Sequence, residues 1–239
     1  MANYTIDRIK SGIPGFDNIV EKGIRKNSAI MVRGGTGTGK TIFGLQYLYA
    51  GATEYDEPGV FISFAESKEA IYQHGVVFGW DFAALEKKDK FVFIKYAPHE
   101  VVKIMEEGGG TIRDTMEAIG AKRMIIDSIT AYALLFESEY RSDESVLNLF
   151  EMLRKWNCTT IVTSEKSVYP SEVDSERLGF LTDGIINFYY LRNGITRLRA
   201  LEVVKMRDTD HSTKICLFDI GNKGIVVKPD AKIPSFTKS

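Results

Sequence analysis

Short apolar runs recur along the chain, and longer amphipathic stretches separate them. Residues 28–33 (SAIMVR) predict a strand, followed by a glycine loop and a helix over 41–55 (TIFGLQYLYAGATEY). GVFISF (59–64) predicts a second strand, ahead of SKEAIYQHGVVFG, where Ser67 has the short oxygen side chain of an N-cap. FVFIKYA (91–97) is a third, leading through Pro98 into a long helical stretch that Gly108, Gly109 and Gly110 must interrupt. KRMIID (122–127) and CTTIVTS (158–164) add two strands, with the helical DESVLNLFEMLRKW (143–156) between them. Strands that are apolar almost throughout are buried on both faces, so the pattern predicts a parallel sheet covered by helices on each side.

After residue 184 the helical period disappears. GIINFYYL, an RNG turn at 192–194, ITRLRALEVVKMR, KICLFDI and GIVV read as consecutive strands, expected as antiparallel hairpins at one sheet edge. Strict alternation on the longest run puts Lys205 and Arg207 on one face with Val203, Leu201, Arg199 and Arg197. The last stretch, KPDAKIPSFTKS, has no periodicity and is expected to be a mobile tail over 229–239. With no internal repeat and no linker, residues 1–228 are expected to form a single α/β domain.

Composition narrows the class. A chain of 239 residues can bury a core without disulfides or structural metals. Its 31 Lys and Arg balance 32 Asp and Glu, which excludes attraction to nucleic acid or membrane by overall charge and leaves only a local patch. Cys158 and Cys216 stand in apolar runs outside any CxxC spacing, as small core residues do. The N-terminus lacks an apolar targeting core, and no run approaches the roughly 18 apolar residues of a membrane helix. The expectation is a cytoplasmic protein that does not bind membranes.

The sharpest chemical signal is GGTGTGKT, Gly34–Thr41, which satisfies the P-loop (Walker A) pattern between a predicted strand and a predicted helix. Phosphate oxygens need several backbone N–H donors converging on one point, with no side chains in the way. Gly35, Thr36, Gly37, Thr38 and Gly39 supply that wrap, and Ile42 continues it into the helix. Lys40 adds positive charge against the β- and γ-phosphates, and the Thr41 hydroxyl is placed as a ligand of Mg²⁺. The implied ligands are therefore a nucleoside triphosphate and Mg²⁺. A second carboxylate directed at the metal is expected at the end of a neighbouring strand, and Asp127 is the candidate. Asp127 also reads as an N-cap for DSITAY, but beside a phosphate loop the metal role is favoured. Glu66 follows GVFISF at the same sheet edge; it reads equally as a water-activating base and as an acid in the first turn of a helix.

Further segments carry a resemblance. GIPGFDNI (12–19), the phosphate loop, YDEPGVFISFAES (55–67), FGWDFAAL (78–85), RMIIDSITA (123–131), TTIVTSE (159–165) and LEVVKMRDTDH (201–211) run in order over residues 11–227. Together they resemble the KaiC branch of the RecA-like ATPases. The phosphate loop is shared with many NTPases, whereas EPGVFISF and LEVVKMRDTDH are far more specific. The resemblance implies a RecA-like fold and a homo-oligomeric, commonly hexameric ring with ATP held between neighbours. It implies that Lys205 and Arg207 reach the γ-phosphate of the adjacent subunit, that Thr209 and His211 lie near nucleotide, and that nucleotide state governs the ring or an unknown protein partner. Relatives carry two adjacent glutamates after the strand matching GVFISF, the first taken as the base. Here that position is Ala65, which accepts no proton, and only Glu66 remains. In the segment matching the phosphorylated Ser-Thr pair of the family's clock member, this chain has Gly179 and Phe180, so that autokinase chemistry is not expected.

The best reading is a Mg-ATP-dependent ATPase, possessing slow turnover if Glu66 must serve; the alternative is an ATP-binding switch that does not hydrolyse. A recombinase-like role on single-stranded DNA is not favoured. The stretch 165–180 sets Glu165, Glu172, Asp174 and Glu176 against Lys166 and Arg177, and FESEYRSDE is also acidic. A single-strand groove needs cations with stacking aromatics between them. A basic patch from Arg192, Arg197 and Arg199, or from the tail lysines, stays open as a DNA contact.

Overall fold

The computed structural model describes residues 5–97, 100, 110–134, 136, 138–168, 170 and 179–232. Every apolar run forms a strand. β1 (Arg8–Ile9) and β2 (Ile24–Arg25) pair as a small antiparallel ladder that the sequence pattern did not suggest. The main sheet contains β3 (Ala29–Arg33), β4 (Gly59–Ser63), β5 (Phe91–Lys95), β6 (Arg123–Asp127) and β7 (Thr159–Ser164). β8 (Gly184–Asn193), β9 (Thr196–Met206), β10 (Cys216–Gly221) and β11 (Gly224–Lys228) complete it. Its nine strands run in the order β11-β10-β9-β8-β3-β7-β6-β4-β5. From β8 to β5 all neighbours are parallel, and β9, β10 and β11 extend the other edge antiparallel, as expected.

Alternation along each central strand sorts its side chains between two cores. Ile30, Val32, Phe61, Ile125 and Ile161 pack with α1 (Lys40–Glu54), α2 (Lys68–Val77) and α3 (Phe82–Glu86). Met31, Val60, Ile62, Met124, Ile126 and Val162 pack with α4 (Gly110–Ile119), α5 (Ile129–Ala133) and α6 (Glu139–Lys155). Ser67 caps α2 by accepting from the Ala70 amide at 3.3 Å. α6 starts earlier than its apolar period, because Ser138 caps it by accepting from the Arg141 amide.

Gly110 is the first residue of α4; residues 98, 99 and 101–109, where the glycine interruption was expected, lie outside the described residues. Two expectations change. The β8–β9 turn centres on Gly194 and Ile195, with Asn193 facing Thr196. The alternation on β9 breaks: Ile185 faces Lys205 while Ile186 faces Val203, so Val204 is the extra residue of a β-bulge. Met206, not Lys205, then continues the buried row of Leu201 and Val203, and the single face expected from Arg197 to Arg207 does not exist. Of the tail expected over 229–239, residues 233–239 lie outside the described residues. No helix among the described residues is long and apolar enough to cross a membrane.

Candidate functional site

The parallel strands deliver their C-terminal ends to one edge of the sheet, where ligands of open α/β sheets bind. β3 ends at the fully buried Arg33, and the chain turns at once into the phosphate loop. The Gly34 amide donates to the Ser164 carbonyl at 3.2 Å, fastening the loop to β7. Thr38 Oγ1 donates to the Gly35 carbonyl at 2.8 Å and closes the loop on itself. Gly37 (φ 78°) and Gly39 (φ 104°) take the left-handed conformations the wrap demands. Gly35 does not; what it supplies is room, since a Cβ there would lie 2.8 Å from Ser167 Oγ. Thr36 and Gly37 form the exposed tip, and Ile42 is half-buried against the core on the far side of the loop.

Lys40 is only 5% exposed, and it is the first residue of α1, so its ammonium and the helix N-terminus act on the same space. Its Nζ donates to the carbonyls of Gly34 (2.7 Å) and Gly35 (3.1 Å) and pairs with Glu165 Oε1 at 3.1 Å. Thr41 Oγ1 donates to Asp127 Oδ2 at 2.7 Å, and Thr163 Oγ1 donates to Asp127 Oδ1 at 2.6 Å. Asp127 is therefore not an N-cap. Ser128 holds that position on α5, without a side-chain cap bond. A hydroxyl and a carboxylate held together beside a phosphate cradle are the hard oxygen donors that suit Mg²⁺, which takes one or two carboxylates and completes its shell with phosphates and water. Among the described residues no cluster of three or more His, Cys, Asp or Glu forms an all-protein metal cage, which Mg²⁺ does not need.

Glu66 is held differently. Ser63 Oγ accepts from the Glu66 amide (2.9 Å) and donates to its carbonyl (3.0 Å), which fixes the turn. The carboxylate itself lies 2.8 Å from His74 Nε2 on α2. It makes no hydrogen bond or ion pair to Lys40, Thr41 or Asp127 among the described residues. Ala65, beside it, is exposed.

β9 touches the site at one end and leaves it at the other. Arg199 Nε donates to the Gly37 carbonyl at 3.3 Å, and its guanidinium lies 4.8 Å from the centre of the Tyr190 ring. Arg197 shares that ring at 5.1 Å. Lys205 and Arg207 sit at the opposite edge. Arg207 donates its amide to Asp183, whose own amide bonds to Ala29, the first residue of β3. They are thus separated from the end of β3 by its whole length, roughly 13 Å. There Lys205 Nζ donates to the carbonyls of Gly179 (2.9 Å) and Thr182 (2.6 Å), while Arg207 donates to the Phe180 carbonyl (2.9 Å). Burial, with Arg207 adding to it, holds the Lys205 pKa below its ordinary value. Thr209 and His211 lie at this same edge: Arg8 Nη1 donates to Thr209 Oγ1 at 2.8 Å, and His211 Nδ1 lies 3.1 Å from the Ser212 carbonyl.

The family model for the KaiC ATPase matches residues 9–232. The chain belongs to the KaiC ATPase family. It is 34% identical to a UPF0273 protein of Methanocaldococcus jannaschii, over 93% of this chain and 97% of that one. It is 32% identical to the circadian clock oscillator protein KaiC of Prochlorococcus marinus, over 93% of this chain but 46% of the clock protein. Among solved structures, a KaiC-like protein of Pyrococcus horikoshii superposes with a TM-score of 0.83 at 38% identity, covering 94% of this chain and all of that one. The RecA-like architecture of a KaiC domain is thereby established for the sheet and helices described above.

Two residues of the site were not singled out from sequence. Glu165 was grouped with an acidic loop, although it directly follows TTIVTS, a strand whose neighbour carries the phosphate loop. Arg199 was read as a basic residue of a strand face and of a candidate DNA-contacting patch, not as a partner of the phosphate loop. Its contact with Gly37 depends on the β8–β9 hairpin lying beside β3, a strand order that no local pattern specifies.

Proposed function

We propose that the chain is a Mg-ATP-binding ATPase that assembles into a ring with nucleotide between subunits and acts as a nucleotide-dependent regulator of a protein partner. The observation that carries this reading is the hydrogen bond from Thr41 to Asp127 beside the buried Lys40, which gathers the phosphate and metal ligands at one sheet edge. Loop amides and Lys40 hold the phosphates, and Arg199 steadies the loop tip. Thr41 and Asp127 would hold Mg²⁺, which supplies charge neutralisation on the phosphate oxygens. Lys205 and Arg207, far from their own phosphate loop, act on the nucleotide of a neighbour. Thr209 and His211 stand beside them on that interface. An arginine supplied from a second chain is an established way to stabilise the charge of phosphoryl transfer.

Titration with a fluorescent ATP analogue (mant-ATP) and a phosphate-release assay test the reading. Wild type is expected to bind in the presence of Mg²⁺ and to release phosphate, and Lys40→Ala to weaken binding at least about tenfold. Equal binding by both proteins would remove the phosphate loop from the argument. A second reading, a switch that binds ATP without hydrolysing it, is favoured by Ala65 and by the pairing of Glu66 with His74. It requires tight binding with phosphate release no higher than that of Lys40→Ala. Single-strand DNA binding is left out of the reading, because acids dominate the stretches where such a groove needs cations.

A further inference from the structure

Resting on the ATPase reading, we propose that Glu165 is the carboxylate that orients the attacking water at the γ-phosphate, the role for which Ala65 has no side chain. Glu165 is the first residue beyond β7, the strand lying between β3 with its phosphate loop and β6 with Asp127. The peptide group that leads into it is held at both of its polar atoms. The Glu165 amide donates to Thr130 Oγ1 at 2.9 Å, and the preceding Ser164 carbonyl accepts from Gly34 of the phosphate loop. A carboxylate mounted on a strand end in this way is more sharply aimed than one on a free loop.

Its charge lies where the chemistry would occur. Oε1 is 3.1 Å from Lys40 Nζ, the group that serves the β- and γ-phosphates in a P-loop. The Glu165 side chain is 41% exposed, so water reaches it, whereas Lys40 is buried. When phosphate takes over the ammonium, the carboxylate and the γ-phosphate oxygens face each other and repel. A water between them that donates a proton to the carboxylate relieves that repulsion and leaves its lone pair towards phosphorus. Glu66 is placed less well. Its carboxylate is engaged by His74 rather than by any group of the phosphate loop.

The step balances without another reactant. The water oxygen bonds to the γ-phosphorus as the bond from that phosphorus to the β–γ bridging oxygen breaks, and ADP departs with the electron pair. The water's proton passes to the Glu165 carboxylate and then to solvent.

Glu165→Gln, Glu165→Asp and Glu66→Gln are to be compared with wild type by mant-ATP titration, steady-state phosphate release and melting temperature. Glu165→Gln is expected to lower kcat about a hundredfold. Its KM and its mant-ATP affinity should be unchanged or tighter, since a competing anion has been removed from Lys40. Glu165→Asp should keep part of kcat, and Glu66→Gln should lose less than Glu165→Gln. Turnover of Glu165→Gln within about threefold of wild type would overturn the proposal. So would a loss confined to KM, or a turnover defect found only in Glu66→Gln. A wild type that binds mant-ATP but releases no phosphate overturns Glu165 as a water-orienting group and leaves nucleotide binding standing; a wild type that does not bind it overturns the ATPase reading itself.

Discussion

Thr163 is fully buried at the end of β7, and its hydroxyl donates to Asp127 Oδ1. Because Thr41 donates to the other oxygen, the two hydroxyls fix the carboxylate plane between them. Thr163→Val keeps the shape and removes one of these bonds, so Asp127 loses orientation without a cavity forming. A hydrogen bond to a charged group contributes roughly 1.5 kcal/mol, which predicts about a tenfold loss of mant-ATP affinity in Mg²⁺. In EDTA the affinity should be nearly unchanged, since the role proposed for Asp127 is toward the metal rather than the phosphates. Equal losses in both conditions would mean that Thr163 is only a core residue. At this scale the sequence was informative where chemistry forces a local spacing. Lys40, Thr41 and the wrap from Gly35 to Gly39 must be contiguous to surround a phosphate, so they can be read directly. Asp127 was readable once the loop was known. Thr163 and Glu165 acquire meaning only because β7 lies between β3 and β6, and strand order is not written in any local pattern.

At the level of elements, α1 carries a glycine whose reason lies in another strand. A Cβ at Gly51 would lie 2.4 Å from both Cδ and Nε of Arg123, the first residue of β6. Arg123 is fully buried, with Nε 2.7 Å from Glu57 Oε2, further donors on the carbonyls of Lys10 and Tyr47, and its guanidinium 4.5 Å from the centre of the Tyr47 ring. Gly→Ala inside a helix ordinarily stabilises by about 1 kcal/mol. Gly51→Ala is expected to reverse that sign and cost about 1–3 kcal/mol, because the arginine cannot move without breaking its bonds. Urea unfolding should show a lower midpoint; a higher one would mean that Arg123 yields easily. Elements as such were legible, since strands buried on both faces give unbroken apolar runs and need no tertiary information. The β9 bulge was not. Val203, Val204 and Met206 are all apolar, so nothing in the run marks Val204 as the residue that shifts Lys205 off the buried row.

For the whole molecule, β9 is the strand that runs from the phosphate loop to the opposite edge of the sheet. Arg199 at one end meets the chain's own phosphate loop, and Arg207 lies beyond its other end at the opposite sheet edge. No rotamer of Arg207 spans that distance, so any action on a phosphate must be on another subunit's. Within one chain its guanidinium meanwhile rests on the Phe180 carbonyl and against Asp183, contacts that a neighbour's phosphate would have to replace. Arg207→Ala is therefore expected to bind mant-ATP as wild type does and to lose phosphate release by roughly a thousandfold. Lys40→Ala is expected to have the complementary defect: it holds nucleotide poorly but still presents Arg207. Mixing the two variants, dissociating and reassembling them with Mg-ATP, should create interfaces with an intact phosphate loop on one side and an intact Arg207 on the other. Phosphate release above the sum of the separate proteins is the expected result. Light scattering must show mixed assemblies of the wild-type size for the comparison to hold. If such assemblies form and no activity returns, Arg207 does not act across an interface, and the sharing of a site between subunits fails with it.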